Sequence, residues 1–187
     1  MNTESVKTKK AKRKAGTKKK DTSKTTKNAS VDPQRLTGKK APAFTLEDYQ
    51  GQKYRLNEIE SEWKILFFYP KDSTPGCTIE ANLFSKDLKK FKALGAEVFG
   101  ISGGDEKSKR KFVEKHLLKV PMLSDSDFKV SKAYQSYGMK SFMGRKFNGI
   151  FRNTFILDSN NKIIKVFEKV KPPTHSKEVL EFIKNQS

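Results

Sequence analysis

Cysteine is nearly absent from this chain: Cys77 is the only one among 187 residues, so no disulfide can form within the chain. A reducing compartment is the simplest setting for such a composition. Histidine is also scarce, and His116 and His175 lie far apart in the sequence, which argues against a metal site and against a Cys–His hydrolase. Both histidines are expected to pack or cap helices. With no glycine-rich phosphate loop either, we expect no metal and no cofactor.

Long apolar runs are missing as well. No stretch reaches the roughly 18 apolar residues of a membrane span, and the first residues lack the apolar centre of a secretory signal. The sequence therefore predicts no membrane association.

Aromatic residues are absent from residues 1–40, which carry 14 Lys or Arg against 3 Asp or Glu. That segment holds a formal charge of +11 out of the total of +19, and it has too few apolar side chains to offset the entropy of ordering. We therefore predict a disordered tail over residues 1–40 and a folded domain over residues 41–187.

Two basic clusters lie inside this tail. They consist of Lys9, Lys10, Lys12, Arg13 and Lys14, followed by Lys18, Lys19 and Lys20. Such runs are typical of nuclear import signals, read by an import receptor, or of arms that bind DNA and chromatin. Two alternatives remain: an organelle transit peptide, or a solvated tail on a cytoplasmic protein.

The rest of the chain alternates between strand and helix patterns. Strands are predicted at residues 43–48, 52–56, 63–69, 97–102, 121–125, 153–158 and 162–167. Helices are predicted from Cys77 to Gly95, from a cap at Asp105 to Leu117, from Asp127 to Tyr137, and over about residues 176–184. This order predicts an α/β fold whose sheet is partly parallel and partly antiparallel.

Cys77 itself lies where an apolar strand ends, a turn follows and a helix begins. The first turn of a helix has unpaired N–H groups and the positive end of the helix dipole, so a thiolate there is stabilised. This position favours a reactive thiol over a buried bystander.

The run Pro-Lys-Asp-Ser-Thr-Pro-Gly-Cys-Thr at residues 70–78 resembles the active-site signature of peroxiredoxins. With Tyr69 before it, the run looks like that of the peroxiredoxin Q, or bacterioferritin comigratory protein, branch. Further motifs follow in family order: Phe-Thr-Leu at 44–46, Leu-Ser-Asp at 123–125, Tyr-Gly at 137–138, and Gly-Ile-Phe-Arg-Asn-Thr-Phe at 149–155.

The resemblance implies a thioredoxin-like fold with a mixed central sheet flanked by helices and an N-terminal β-hairpin extension. It also implies an antioxidant peroxidase that reduces hydrogen peroxide and organic hydroperoxides. Cys77 matches the peroxidatic cysteine and Thr74 the threonine that contacts the thiolate and the peroxide. Pro70 matches the proline that shields the site from water, and Arg152 the arginine that polarises the peroxide.

Each of these roles has an ordinary alternative. Thr74 could serve only as a turn or cap residue, and Arg152 could be one surface charge among many. Glu80, in the first helical turn, is expected to offset the helix dipole, and a hydrogen bond to Arg152 is open to it.

The chain departs from the pattern at Asn82, where many members of this branch carry a second, resolving cysteine. We therefore expect a one-cysteine peroxiredoxin, reduced by an external thiol from thioredoxin, glutaredoxin or glutathione. The resemblance suggests that the protein is a monomer. The basic tail suggests that it is located in the nucleus. Two other functions remain open: a chromatin-associated redox sensor, and a redox-inert interaction module.

Overall fold

The computed structural model describes residues 31–186. The strands are β1 (Thr45–Glu47), β2 (Lys53–Arg55), β3 (Trp63–Phe68), β4 (Ala96–Ser102), β5 (Met122–Ser124), β6 (Tyr137–Phe142), β7 (Arg145–Ile150), β8 (Asn153–Leu157) and β9 (Ile163–Glu168). The helices are α1 (Pro75–Ala93), α2 (Glu106–His116), α3 (Lys129–Ala133) and α4 (Pro172–Lys184).

A seven-stranded sheet in the order β2-β1-β5-β4-β3-β8-β9 forms the centre of the domain. Its middle strands β3, β4 and β5 are parallel, because helical crossovers connect them, whereas the flanking strands pair antiparallel. Every residue of β3 is buried, as expected for a strand covered on both faces.

Two apolar clusters cover the faces of this sheet. Residues of β3 that point one way, such as Ile65 and Phe67, pack with Phe84 of α1 and with Val179 of α4. Side chains that point the other way pack on the opposite face, where Tyr134 joins the cluster. The result is a mixed α/β, thioredoxin-like fold, as predicted.

Most of the predicted elements are confirmed, including the N-terminal hairpin and the hairpin at β8 and β9. Asp105 caps α2 by accepting a hydrogen bond from the Ser108 N–H at 2.8 Å. The last helix begins at Pro172, earlier than predicted, because proline suits the first position of a helix.

The helix predicted over residues 127–137 is present only as the short helix α3 (Lys129–Ala133). Helix α3 ends at Ala133, Gln135 takes a left-handed conformation with φ of +52°, and the chain continues as strand β6. Strands β6 and β7 form a separate hairpin that the sequence analysis missed. Its turn, Met143-Gly144, lacks the usual Asn-Gly signal of a hairpin. Phe142 and Met143 are exposed, so the strands show no alternation of apolar and polar residues.

The predicted disordered tail also needs correction at its end. Residues 31–40 are ordered: Pro33–Leu36 forms a 3₁₀ turn, Pro33 is buried, and the Gly38 N–H donates to the Ile163 carbonyl at 2.8 Å. The prediction of disorder used the average composition of residues 1–40, which is low in apolar residues and does not reflect these few contacts. The basic clusters at residues 9–20 lie outside the described residues.

Within residues 31–186, no helix is both long enough and apolar enough to cross a membrane.

Candidate active site

Cys77 is the third residue of α1, in the first turn after the loop that follows β3. Its side chain is buried, with a relative exposure of 1%. The N-cap residue, Thr74, makes no side-chain hydrogen bond to the helix, so the first-turn amides of Gly76 and Cys77 have no capping partner there. The sulfur therefore lies at the positive end of a 19-residue helix.

Arg152 brings a full positive charge to this sulfur. Its Nη2 atom donates to Cys77 Sγ at 3.1 Å. The sheet register explains the contact across 75 residues of sequence: β8 runs antiparallel beside β3, with Asn153 opposite Phe68, so the residue before β8 lies at the end of β3 where the loop begins. Desolvation opposes the charge on Arg152, but Glu80 and Cys77 outweigh it and raise the pKa of Arg152 further.

Glu80 holds the other side of the guanidinium. It lies one turn after Cys77 in α1, is 1% exposed, and pairs with Nη1 of Arg152. Burial raises the pKa of Glu80 to about 7, although Arg152 acts against the rise. The hydrogen bond between Glu80 and Arg152, which the sequence left open, is therefore present. The pair fixes the orientation of Arg152 toward the sulfur.

Thr74 and Pro70 lie in the loop between β3 and α1. The Thr74 hydroxyl donates to the Lys71 carbonyl at 3.0 Å and closes the turn. It donates no hydrogen bond to Cys77 in this structure, and contact between Thr74 and the thiolate stays a prediction. Pro70 is half-buried and lies two residues after the end of β3. Its role as a shield against water stays a prediction, as does contact between Thr74 and a peroxide.

Lys140 is a neighbour of the site that the sequence analysis did not single out. From β6, its Nζ atom donates to the Ile150 carbonyl at 2.9 Å and lies 5.4 Å from the centre of the Phe151 ring. Burial lowers the pKa of Lys140, and the charge of Arg152 adds to this effect. No sequence signal pointed to Lys140, because the contact depends on the β6–β7 hairpin.

His175 packs at the start of α4, as expected. It is fully buried, its Nε2 atom lies 2.7 Å from the Thr154 hydroxyl, and burial lowers its pKa to about 4. In the part of the chain that the structure describes, no group of three or more His, Cys, Asp or Glu side chains could hold a metal ion.

A thiol beside a guanidinium at a helix start, on a thioredoxin-like sheet, is the arrangement of a thiol-dependent peroxidase. Comparison with known proteins supports this class. Residues 37–166 match the model of the AhpC/TSA family, so the chain belongs to that family.

Individual relatives narrow the assignment. Peroxiredoxin Bcp of Escherichia coli is 36% identical over 147 residues, which cover 79% of this chain and 94% of that protein. A bacterioferritin comigratory protein structure from Xanthomonas campestris has a TM-score of 0.72 at 32% identity, covering 76% of this chain and 91% of the other. A yeast mitochondrial 1-Cys peroxiredoxin has a TM-score of 0.67 at 25% identity, covering 79% and 74%.

The chain is therefore a peroxiredoxin, a peroxidase of the oxidoreductase class. Its relatives place it with the Bcp, or peroxiredoxin Q, proteins, and its cysteine content makes it a one-cysteine member.

Proposed function

We propose that Cys77 reduces hydrogen peroxide and organic hydroperoxides by direct attack of its thiolate. The sulfur attacks one peroxide oxygen, the O–O bond breaks, and the electron pair leaves on the other oxygen, which takes a proton to become water or an alcohol. Cys77 is oxidised to a sulfenic acid. The reduction of alkyl peroxides by the X. campestris relative supports the inclusion of organic substrates.

The contact between Arg152 and Cys77 carries this proposal. A planar guanidinium can donate from one nitrogen to the sulfur and from another toward a bound peroxide oxygen. The free amides of the first turn of α1 add donors on the same side. These groups are held in place by the protein, so they stabilise the negative charge as it moves from sulfur to oxygen.

An external thiol completes the cycle in this proposal. The chain has no second cysteine, and Asn82 is exposed on α1 at the place of the resolving residue. A thiol attacks the sulfenic acid, water leaves, and a mixed disulfide forms, which a second thiol then reduces. Thioredoxin, glutaredoxin and glutathione are the candidate donors. The yeast relative, whose thiol resolving mechanism uses the glutathione and thioredoxin systems, supports this class of reductant.

The test is mass spectrometry of the intact protein after one equivalent of peroxide. We expect one added oxygen on Cys77, and its loss when a competent thiol donor is added. The Cys77→Ser variant serves as the control and should neither gain oxygen nor turn over peroxide. A wild-type protein that keeps its free thiol, or a Cys77→Ser protein with full activity, would contradict the mechanism.

We also propose that the basic tail directs the protein to the nucleus or holds it on nucleic acid. Residues 1–30 carry 11 Lys or Arg and 2 acidic residues, which supports electrostatic binding of DNA or of an import receptor. Deletion of residues 1–30 spares the ordered turn at Pro33–Leu36, so peroxidase activity should survive. Nuclear accumulation, DNA affinity and the salt dependence of that affinity should all fall.

A redox sensor on chromatin is the competing role for the same tail. The sensor role predicts that oxidation of Cys77 changes the affinity for DNA. A peroxidase whose tail only sets its location should bind DNA equally in both oxidation states. Measurement of DNA affinity before and after one equivalent of peroxide separates the two.

A further inference from the structure

A buried ion pair lies beneath the loop that carries the active-site signature. Asp72, 6% exposed, accepts from Nζ of Lys109 at 3.0 and 3.1 Å, and Lys109 is fully buried. Three hydroxyl groups complete the carboxylate's partners: Tyr69 at 2.6 Å, Ser108 at 2.7 Å and Ser102 at 3.2 Å. The proposed chemistry at Cys77 uses none of these groups.

This cluster ties the loop to two separate elements, β4 and α2. Tyr69 directly follows β3, Ser102 is the last residue of β4, and Lys109 lies near the start of α2. Gly104 closes the cluster from the side, because a Cβ atom there would collide with the Asp72 carboxylate. The Asp72 side chain thus attaches the loop to β4 and α2.

Apart from Tyr69 and Asp72, the residues of the loop are exposed or half-buried. Asp72 is two residues from Pro70 and two from Thr74, and Ser73 between them adopts a left-handed conformation with φ of +58°. The Thr74 hydroxyl bonds only within the loop, to Lys71. A non-glycine residue keeps such a backbone conformation when its surroundings impose it, and Asp72 supplies that constraint.

Stability alone does not explain a lysine in the core. Desolvation lowers the pKa of Lys109, and Asp72 is needed to offset it, whereas well-packed apolar residues of similar volume often fill such a site without loss of stability. The ion pair instead fixes the Asp72 carboxylate in a single position, and the loop that carries Asp72 is fixed with it.

We propose that Asp72 and Lys109 are positioning residues for the attack of Cys77 on peroxide. By fixing the loop, they set where the first turn of α1 begins and hence the line from the sulfur to the O–O bond. The inference rests on the proposed function of Cys77, because it concerns the geometry of that reaction. In-line attack is sensitive to small displacements, and a shift of about 1 Å can slow a reaction about 100-fold.

The experiment compares Asp72→Asn with the double variant Asp72→Asn/Lys109→Met. The first leaves Lys109 without a counter-charge, and the second removes both charges, which protects the fold. Each variant is reacted with hydrogen peroxide in single turnover and, separately, with iodoacetamide. Iodoacetamide needs the thiolate but not the alignment of a peroxide bond. We expect the peroxide rate constant to fall about tenfold or more in both variants. The iodoacetamide rate constant should stay unchanged in the double variant, which keeps the net charge of the pair at zero.

Asp87→Asn is the matched control. Asp87 is another buried carboxylate, and it accepts from a lysine and a serine, Lys90 and Ser176, each at 2.7 Å. It lies in α1, ten residues after Cys77. The control should react with peroxide at the wild-type rate. Ser108→Ala, which removes one hydrogen bond to Asp72, should cause a smaller decrease and keeps the test valid if the charge variants do not fold.

The outcomes separate the two proposals. A wild-type protein whose Cys77 does not react with peroxide overturns the proposed function. If the wild type reacts, folded variants at the wild-type peroxide rate overturn the positioning role. Equal loss of both rate constants also overturns it, because the pair would then act on the thiolate rather than on alignment.

Discussion

Two buried groups near the active site should affect stability with opposite dependence on pH. Burial raises the pKa of Glu80 from 4.5 to about 7 and lowers that of His175 from 6.5 to about 4. As pH rises from 4.5 to 7, the unfolded chain loses the Glu80 proton first, so the folded state loses stability. As pH falls from 6.5 to 4, the unfolded chain protonates His175 first, so the folded state again loses stability.

The size of each effect follows from the shift. One pKa unit corresponds to about 1.4 kcal/mol, so each group changes the free energy of unfolding by about 3 kcal/mol across its own window. Between pH 4.5 and 6.5 the two changes have opposite signs, and in the wild type they largely offset each other. Substitution of either group should therefore reveal the pH dependence of stability that comes from the other.

We therefore expect Glu80→Gln to gain about 3 kcal/mol relative to the wild type as pH rises from 4.5 to 7.5. His175→Gln should lose about 3 kcal/mol relative to the wild type as pH rises from 4 to 6.5. Both differences can be read from urea unfolding followed by the fluorescence of Trp63, the only tryptophan. Glu181→Gln, on the exposed face of α4, controls for the loss of one carboxylate.

Each substitution also alters a hydrogen bond at every pH, so the test is how the stability difference changes with pH and not its absolute size. A Glu80→Gln difference that stays flat within about 1 kcal/mol over this range would refute the burial argument for Glu80. A His175→Gln difference that rises with pH would refute the assignment of a neutral, buried imidazole.

Two further predictions concern the chemistry. Arg152→Lys keeps the charge but loses the planar guanidinium that contacts both Cys77 and Glu80. The rate constant for reaction with peroxide, measured by stopped flow, should fall on the order of 100-fold. A wild-type rate constant would contradict the role of Arg152. Asn82→Cys should yield an intramolecular disulfide after one equivalent of peroxide, seen as a loss of two hydrogens rather than a gain of oxygen. Because five helical residues span about 7.5 Å, the start of α1 must unwind for this bond to form, and a persistent sulfenic acid would show that it does not.

Comparison of sequence and structure shows where local patterns were sufficient. The all-apolar strand β3 and the apolar face of α1 were visible as periodicities, and both elements formed close to the predicted residues. The β6–β7 hairpin was not visible, since its strands bury little and its apolar side chains face outward. Residues 31–40 were misjudged because a few buried contacts are lost in an average over 40 residues.

The sequence by itself determined the chemistry: one cysteine, at the start of a helix, in a run whose neighbours indicate a peroxidase. Only the tertiary structure decided which groups surround the sulfur. The β3–β8 register brings Arg152 to Cys77, burial pairs that arginine with Glu80, and the convergence of β3, β4 and α2 places Lys109 under Asp72. These contacts join residues that are 37 to 75 positions apart in the sequence, and burial strengthens them. Neither proximity in space nor burial can be read from local sequence.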